Sequence, residues 1–160
     1  MSTPAAPKLL RIVDRTVHVL KSVTEGDIYF YTIGDRAVKG LRIFTDAPGF
    51  PFDMVFVGSD HRPIEYLPDG RMFRYATVIV SSYCDEEGGE PITKLLKHLA
   101  DVQLAIETDL RSTDPESLGA LVAWGHLGSV ITDEGELGLE GGAGFRQDIQ
   151  FCLSGEAGTL

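Results

Sequence analysis

The side chains in this 160-residue chain with chemistry to offer are four histidines (His18, His61, His98, His126), two cysteines (Cys84, Cys152) and an acidic run, Asp133-Glu134-Gly135-Glu136 with Glu140. Their spacing does not organise them. A zinc or iron site on a helix places ligands three or four residues apart so that they share a face, and no HxxxH or HxxE pair occurs. His18 and His98 fall within helical patterns, where each is expected to be half-buried or on the wet side. The acidic run lacks the alternating oxygens and closing bidentate Glu of an EF-hand, so it reads as a solvated turn. Gly138, Gly141, Gly142 and Gly144 are followed by no Lys-Ser/Thr and open no helix, which favours a hairpin tip over a phosphate cradle. No G-x-S-x-G elbow is present, and neither cysteine has a sequence neighbour to activate it; both read as reduced thiols. The expectation is a protein with no catalytic residue, metal or cofactor.

The elements that hold these groups follow from apolar spacing. Leu9, Ile12, Val13, Val17, Leu20 and Val23 recur at three and four residues and predict a helix over 7–23, with Pro7 in its first turn. Ile28–Ile33 and Ala37–Phe44, separated by Gly34-Asp35, read as a hairpin because their residues are aromatic and β-branched. The Pro/Gly-rich stretch 45–52 is a loop before a strand at Met54–Val57 and a short edge piece at Ile64–Leu67, with Pro68-Asp69-Gly70 as a tight turn. Met72–Tyr83 alternates two part-apolar faces, as a central strand does. Ile92, Leu95, Leu96, Leu99, Val102, Ile106 and Leu110 predict a long second helix opened by Pro91, with Lys97 and Asp101 paired on its wet side. Leu118–Trp124 is too short to classify. Gly128–Thr132 and Phe145–Leu153 read as a hairpin around the loop 133–144, and 154–160 as a mobile tail. The order predicts an α+β fold, a mostly antiparallel β-sheet with two amphipathic helices packed on one face.

At 43% hydrophobic and 24% charged, the chain suits one domain, residues 1–153, with 24–67 as a possible inserted hairpin and loop. No apolar run approaches the ~20 residues of a membrane span. The start, Met1-Ser-Thr-Pro-Ala-Ala-Pro, has no basic-then-apolar leader, so the expectation is a cytoplasmic site of synthesis and no membrane partner. The net charge of −10 argues against gripping nucleic acid by its phosphates. It is also uneven: residues 1–80 hold ten Lys and Arg against nine Asp and Glu, whereas residues 81–160 hold four against fifteen. Such halves can present unlike surfaces to neighbouring copies or line a shared space with negative potential.

The run Ile92-Thr-Lys-Leu-Leu-Lys-His-Leu-Ala-Asp-Val-Gln-Leu-Ala-Ile-Glu-Thr-Asp, then Ser117-Leu-Gly-Ala-Leu-Val, Val130-Ile-Thr-Asp-Glu-Gly and the strand Phe145–Leu153, resembles the tail terminator (tail completion) proteins of long-tailed bacteriophages. Ala120 stands where a second glycine is usual, and 24–67 looks longer than the family's connection. The resemblance implies a non-enzymatic virion protein of the neck. It would be a homo-oligomeric ring, a hexamer, that caps the tail tube protein, stops its polymerisation and offers a surface to the head–tail connector or stopper protein. Genomic DNA would pass through the lumen without specific binding. A lumen or acidic surface would then involve Asp133, Glu134, Glu136 and Glu140. Tyr29, Phe30, Tyr31, Phe50 and Phe52 are candidates for subunit or partner contact, or else ordinary core. Two alternatives stand beside this reading: another neck component such as a connector or stopper ring, and a small α+β enzyme or ligand-binding domain using Asp101, His98 and the acidic loop.

Overall fold

A computed structural model of the chain describes residues 5–41, 49–84, 90–133, 143–156 and 159–160. The fold is α+β: three helices lie on one face of a six-stranded, mostly antiparallel sheet. Helix α1 (Lys8–Lys21) buries Leu9, Ile12, Val13, Thr16, Val19 and Leu20. After a 3₁₀ turn at Gly34–Arg36, β1 (Ala37–Lys39) pairs in parallel with β2 (Asp53–Val57). β3 (Arg62–Tyr66) and β4 (Arg71–Cys84) follow, then α2 (Pro91–Leu110), α3 (Leu118–Leu121), β5 (Trp124–Asp133) and β6 (Ala143–Glu156).

The sheet order is β1-β2-β4-β6-β5, with β3 also on β4. β6 occupies one edge of β4 along its whole length, Arg71↔Glu156 to Cys84↔Ala143. β2 and β3 therefore share the other edge in series, at Val78–Ser82 and Met72–Tyr75. The Gly58 N–H bonds the Thr77 carbonyl, and the His61 N–H bonds that of Tyr75, both at 2.9 Å, so the junction stays on the ladder. Residues 53–84 thus form one long hairpin turned at Pro68-Asp69-Gly70, and its outer strand β3 is exposed throughout. The helix-facing side carries Val55, Ala76, Val78, Val80, Phe145, Ile149, Phe151 and Leu153, which close the core against α1, α2 and Leu118 of α3.

Three expectations are corrected here. Ile28–Ile33 is not a strand, and no hairpin joins it to residues 37–41; residues 42–44 of that expectation lie outside the described residues. The segment has strand composition, but its donors are used elsewhere. The N–H groups of Phe30 and Tyr31 bond the Asp101 carboxylate on α2, and the Ile33 N–H bonds the Val23 carbonyl. The inward stripe of α2 holds His98, Asp101, Ala105 and Asp109, while Leu96 points out half-exposed; Asp101 is therefore not on the wet side beside Lys97. A 3.6-residue period that includes Leu95, Leu99, Val102 and Ile106 leaves Leu96 a hundred degrees off the stripe. Finally, Ser154–Glu156 is not tail: it continues β6 against Arg71–Phe73. Beyond it, the Thr159 carbonyl accepts the Lys8 N–H at 2.9 Å, and Leu160 packs on the core.

Candidate functional site

The polar groups that α2 turns inward are each met by another element. His98 and Asp53 of β2 are both fully buried, and His98 Nε2 donates to Asp53 Oδ1 at 2.8 Å. Among the described residues, Asp53 Oδ2 and His98 Nδ1 have no hydrogen-bond partner. Three rings wall the imidazole: Phe50 at 5.4 Å, Phe145 at 5.7 Å and Tyr31 at 6.2 Å between centroids. His98 is thus neither half-buried nor on the wet side. With no surface at 0% exposure it cannot meet a substrate in this conformation, and it acts as an interior tie between α2 and the sheet.

Asp101 lies one turn further on and replaces a missing strand partner for residues 30–31, accepting three contacts of 2.9–3.1 Å from the two N–H groups. Asp109 is the next such node. Arg15 of α1 grips it through two nitrogens at 2.6 and 3.0 Å, and the Leu118 N–H that opens α3 donates to it at 2.8 Å. Burial pushes the Asp109 carboxyl upward, but Arg15 and the Leu118 N–H outweigh this and hold it below the usual carboxylate range. Gly119 fits here because a Cβ would stand 2.3 Å from the Leu110 carbonyl oxygen. Gln103 of α2 donates to Gln147 Oε1 at 2.7 Å, and Gln147 in turn donates to the Gly128 and Ser129 carbonyls where β5 bulges.

The sequence candidates divide accordingly. Phe52, at 4% exposure, is core and not a contact surface. Tyr31 and Phe50 meet edge to face at 5.2 Å and seal the His98 chamber, and Tyr29 packs half-buried on the core. Phe30 alone of the five is exposed, with the Lys97 ammonium 5.5 Å from its ring centre. Glu134, Glu136 and Glu140 lie outside the described residues, and of Asp133 only the backbone, paired with Gly144, is described. Because Cys84 pairs with Ala143 and Asp133 with Gly144, the segments 85–89 and 134–142 leave the same end of the sheet. They carry six acidic residues and no Lys or Arg. Asp101 and Asp109, counted toward the acidity of the second half, are interior and add nothing to a surface.

Features that spacing did not indicate lie on the flanks. On the sheet face away from the helices, Trp124 and His126 stack at 5.2 Å, with Tyr75 and His61 beside Trp124 and the Arg62 guanidinium over Tyr75. Such Trp, Tyr and Arg groupings are what interface cores favour. Between α1 and the β1–β2 edge runs a groove of about 430 Å³ lined by Leu10, Val13, Val55 and Val57, with Lys39 and Arg74 as its cationic groups. Among the described residues, no group of three His, Cys, Asp or Glu is placed to hold a metal, and no helix is long and apolar enough to cross a membrane.

No protein-family model matches this chain, and neither does any curated protein.

Proposed function

We propose that this chain is a structural ring subunit of the tail-terminator kind, closing the end of a phage tail tube and presenting a joining surface to the head. One observation carries the reading. The stretch that bears the resemblance, most of residues 70–153, includes β4, α2, α3, β5 and β6, and its described motif residues fasten these elements together and to the rest of the fold. Asp101 anchors the 30–31 segment, Asp109 caps α3 and binds α1, and Gly119 permits the close passage of α3 under Leu110. The motif therefore specifies an architecture, as expected of a protein whose work is done by shape.

The acidity fits the same use. Six carboxylates tethered at one end of the sheet, repeated round a ring, would repel DNA from a lumen wall and let it slide. Of the groups named for the enzyme alternative, His98 and Asp101 are enclosed, while the acidic loop lies outside the described residues. The chain makes its contribution in the neck of a virion, without bond-making chemistry.

The test is to incubate the purified chain with tail tubes and, separately, with DNA-filled heads, and to image both. Rings on tube ends that halt further tube growth support the proposal. Binding only to heads would assign the chain to the connector or stopper side, and binding to neither would refute a neck role.

A further inference from the structure

We infer that His61 is a proton-operated catch on the outer strand: as a neutral ring it wedges against Tyr75 and Trp124 and holds residues 61–66 on β4, and charging it favours a state in which β3 swings off the sheet while the rest of the fold stays closed. The inference is independent of the ring reading. It starts from how lightly β3 is held. All five of its residues, Arg62–Tyr66, are exposed, and its register on β4 slips between Arg62 and Glu65. Firmer ties flank it. On one side the Gly58 N–H bonds the Thr77 carbonyl at 2.9 Å and Arg74 grips Asp60 at 3.1 Å; on the other lies the Pro68-Asp69-Gly70 turn, closed by the Leu67 N–H on the Arg71 carbonyl at 2.8 Å. These are the two hinges. Between them His61 reaches across the sheet, its N–H on the Tyr75 carbonyl at 2.9 Å and its ring centre 5.8 Å from Tyr75 on β4 and 6.1 Å from Trp124 on β5.

That place suits a neutral imidazole and not a cation. Among the described residues His61 Nε2 is buried with no hydrogen-bond partner, and Nδ1 meets only the Thr77 hydroxyl, at 3.4 Å. An imidazolium carries an N–H on both nitrogens, so charging the ring would leave the Nε2–H desolvated and unmatched. The surrounding charges act in both directions. Arg62, whose guanidinium already lies 5.5 Å over the Tyr75 ring, and His126 of β5, stacked on Trp124, oppose a further positive charge; Asp60 and the Ala76 backbone of β4 favour it. β6 supplies Cys152, whose thiol burial pushes up and keeps neutral, and Glu65 of β3 is engaged with the Tyr75 hydroxyl. Burial of the ring is the largest influence, and together with Arg62 and His126 it holds His61 below the ordinary imidazole value. The stabilisation this ring gives to the closed state is therefore complete above ~6.5 and is lost as pH falls through the lower folded value. Swung out, the imidazole regains its ordinary value, so each pH unit between the two values multiplies opening about tenfold in acid. Opening uncovers the β4 edge at Met72–Tyr75.

Two measurements on the full chain test this between about pH 7.5 and pH 5: the His61 midpoint by proton NMR, and amide hydrogen exchange corrected for the intrinsic rate at each pH. The midpoint should lie below that of an unstructured imidazole. The amides of residues 61–66 that bond β4 should open more in acid by the factor this difference sets, while Gly58 and the β4–β6 ladder keep their protection. His61→Phe leaves a ring in the wedge with nothing to charge and should abolish the rise. His126→Gln removes one opposing charge and should bring the midpoint closer to the ordinary value and shrink the rise. A midpoint at or above the ordinary value, a rise that persists in His61→Phe, or a parallel loss of protection along β4–β6 would each overturn the inference. Should His61→Phe fail to fold, the unmodified chain decides: a lowered midpoint without the matching rise at 61–66 overturns the catch, and agreement between the two supports it.

Discussion

Replacing His98 with Leu removes the one hydrogen bond that the Asp53 carboxylate makes among the described residues. The carboxylate is fully buried, and among the described residues its Oδ1 bonds only His98 Nε2 at 2.8 Å and its Oδ2 has no partner to take over. Breaking one side of such a buried pair costs about 3–5 kcal/mol, because the other group is left desolvated and alone. That is a large share of the ~5–15 kcal/mol by which domains are stable, and at ~2–4 °C per kcal/mol for this size it lowers Tm by roughly 6–20 °C. Asp53→Asn keeps an acceptor for Nε2–H and should cost less than His98→Leu. The double variant Asp53→Leu/His98→Leu replaces the pair by apolar groups and should recover most of the loss, giving a coupling of at least ~2 kcal/mol. Urea unfolding followed by circular dichroism and by the fluorescence of Trp124, the single tryptophan of the chain, measures the wild type, both Leu single variants and the double variant that close the cycle, with Asp53→Asn beside them. A His98→Leu cost below ~1 kcal/mol, or a coupling near zero, would refute the idea that this pair ties α2 to the sheet.

Three further outcomes are expected. Gly119→Ala drives a Cβ into the Leu110 carbonyl oxygen at 2.3 Å, where backbone and no flexible side chain must yield; an overpacking cost of about 1–3 kcal/mol or more should appear as a lower urea midpoint. Asp109 has a folded-state pKa held below its usual value, so its stabilisation is complete above the ordinary carboxylate pKa of ~3.9 and is lost as pH falls through the lower folded value. Asp109→Asn should flatten the fall in stability between neutral and acid pH, and an unchanged acid limb would count against the Arg15–Asp109–Leu118 node. Phe52→Ser removes a core ring and should cost about 3–5 kcal/mol, whereas Phe30→Ser, at an exposed ring, should leave the unfolding free energy from urea titration within ~0.5 kcal/mol.

What was readable beforehand depended on periodicity. α1, β4, β6 and the apolar half of α2 each bury a face against a continuous layer, so their residues had to repeat at 3.6 or 2, and that repeat survives in one dimension. His98, Asp101 and Asp109 follow the same helical spacing as Leu95, Leu99, Val102 and Ile106. A polarity scale still sends them outward, since what makes them tolerable inside is a partner 45 residues away for His98, 70 to 71 for Asp101 and 94 for the Arg15–Asp109 pair. The 28–33 segment failed for the complementary reason: strand composition permits extended backbone but does not supply the neighbouring strand.

The chain's own order of residues determined the α+β class, the two long amphipathic helices and the central alternating strands, because burial of one face is written into local spacing. Only the tertiary structure decided which carboxylates are interior fasteners and which aromatics seal a chamber. It alone decided which strands end the sheet among the described residues, because a buried charge or a sheet edge is defined by what stands opposite it, and that partner is distant in sequence.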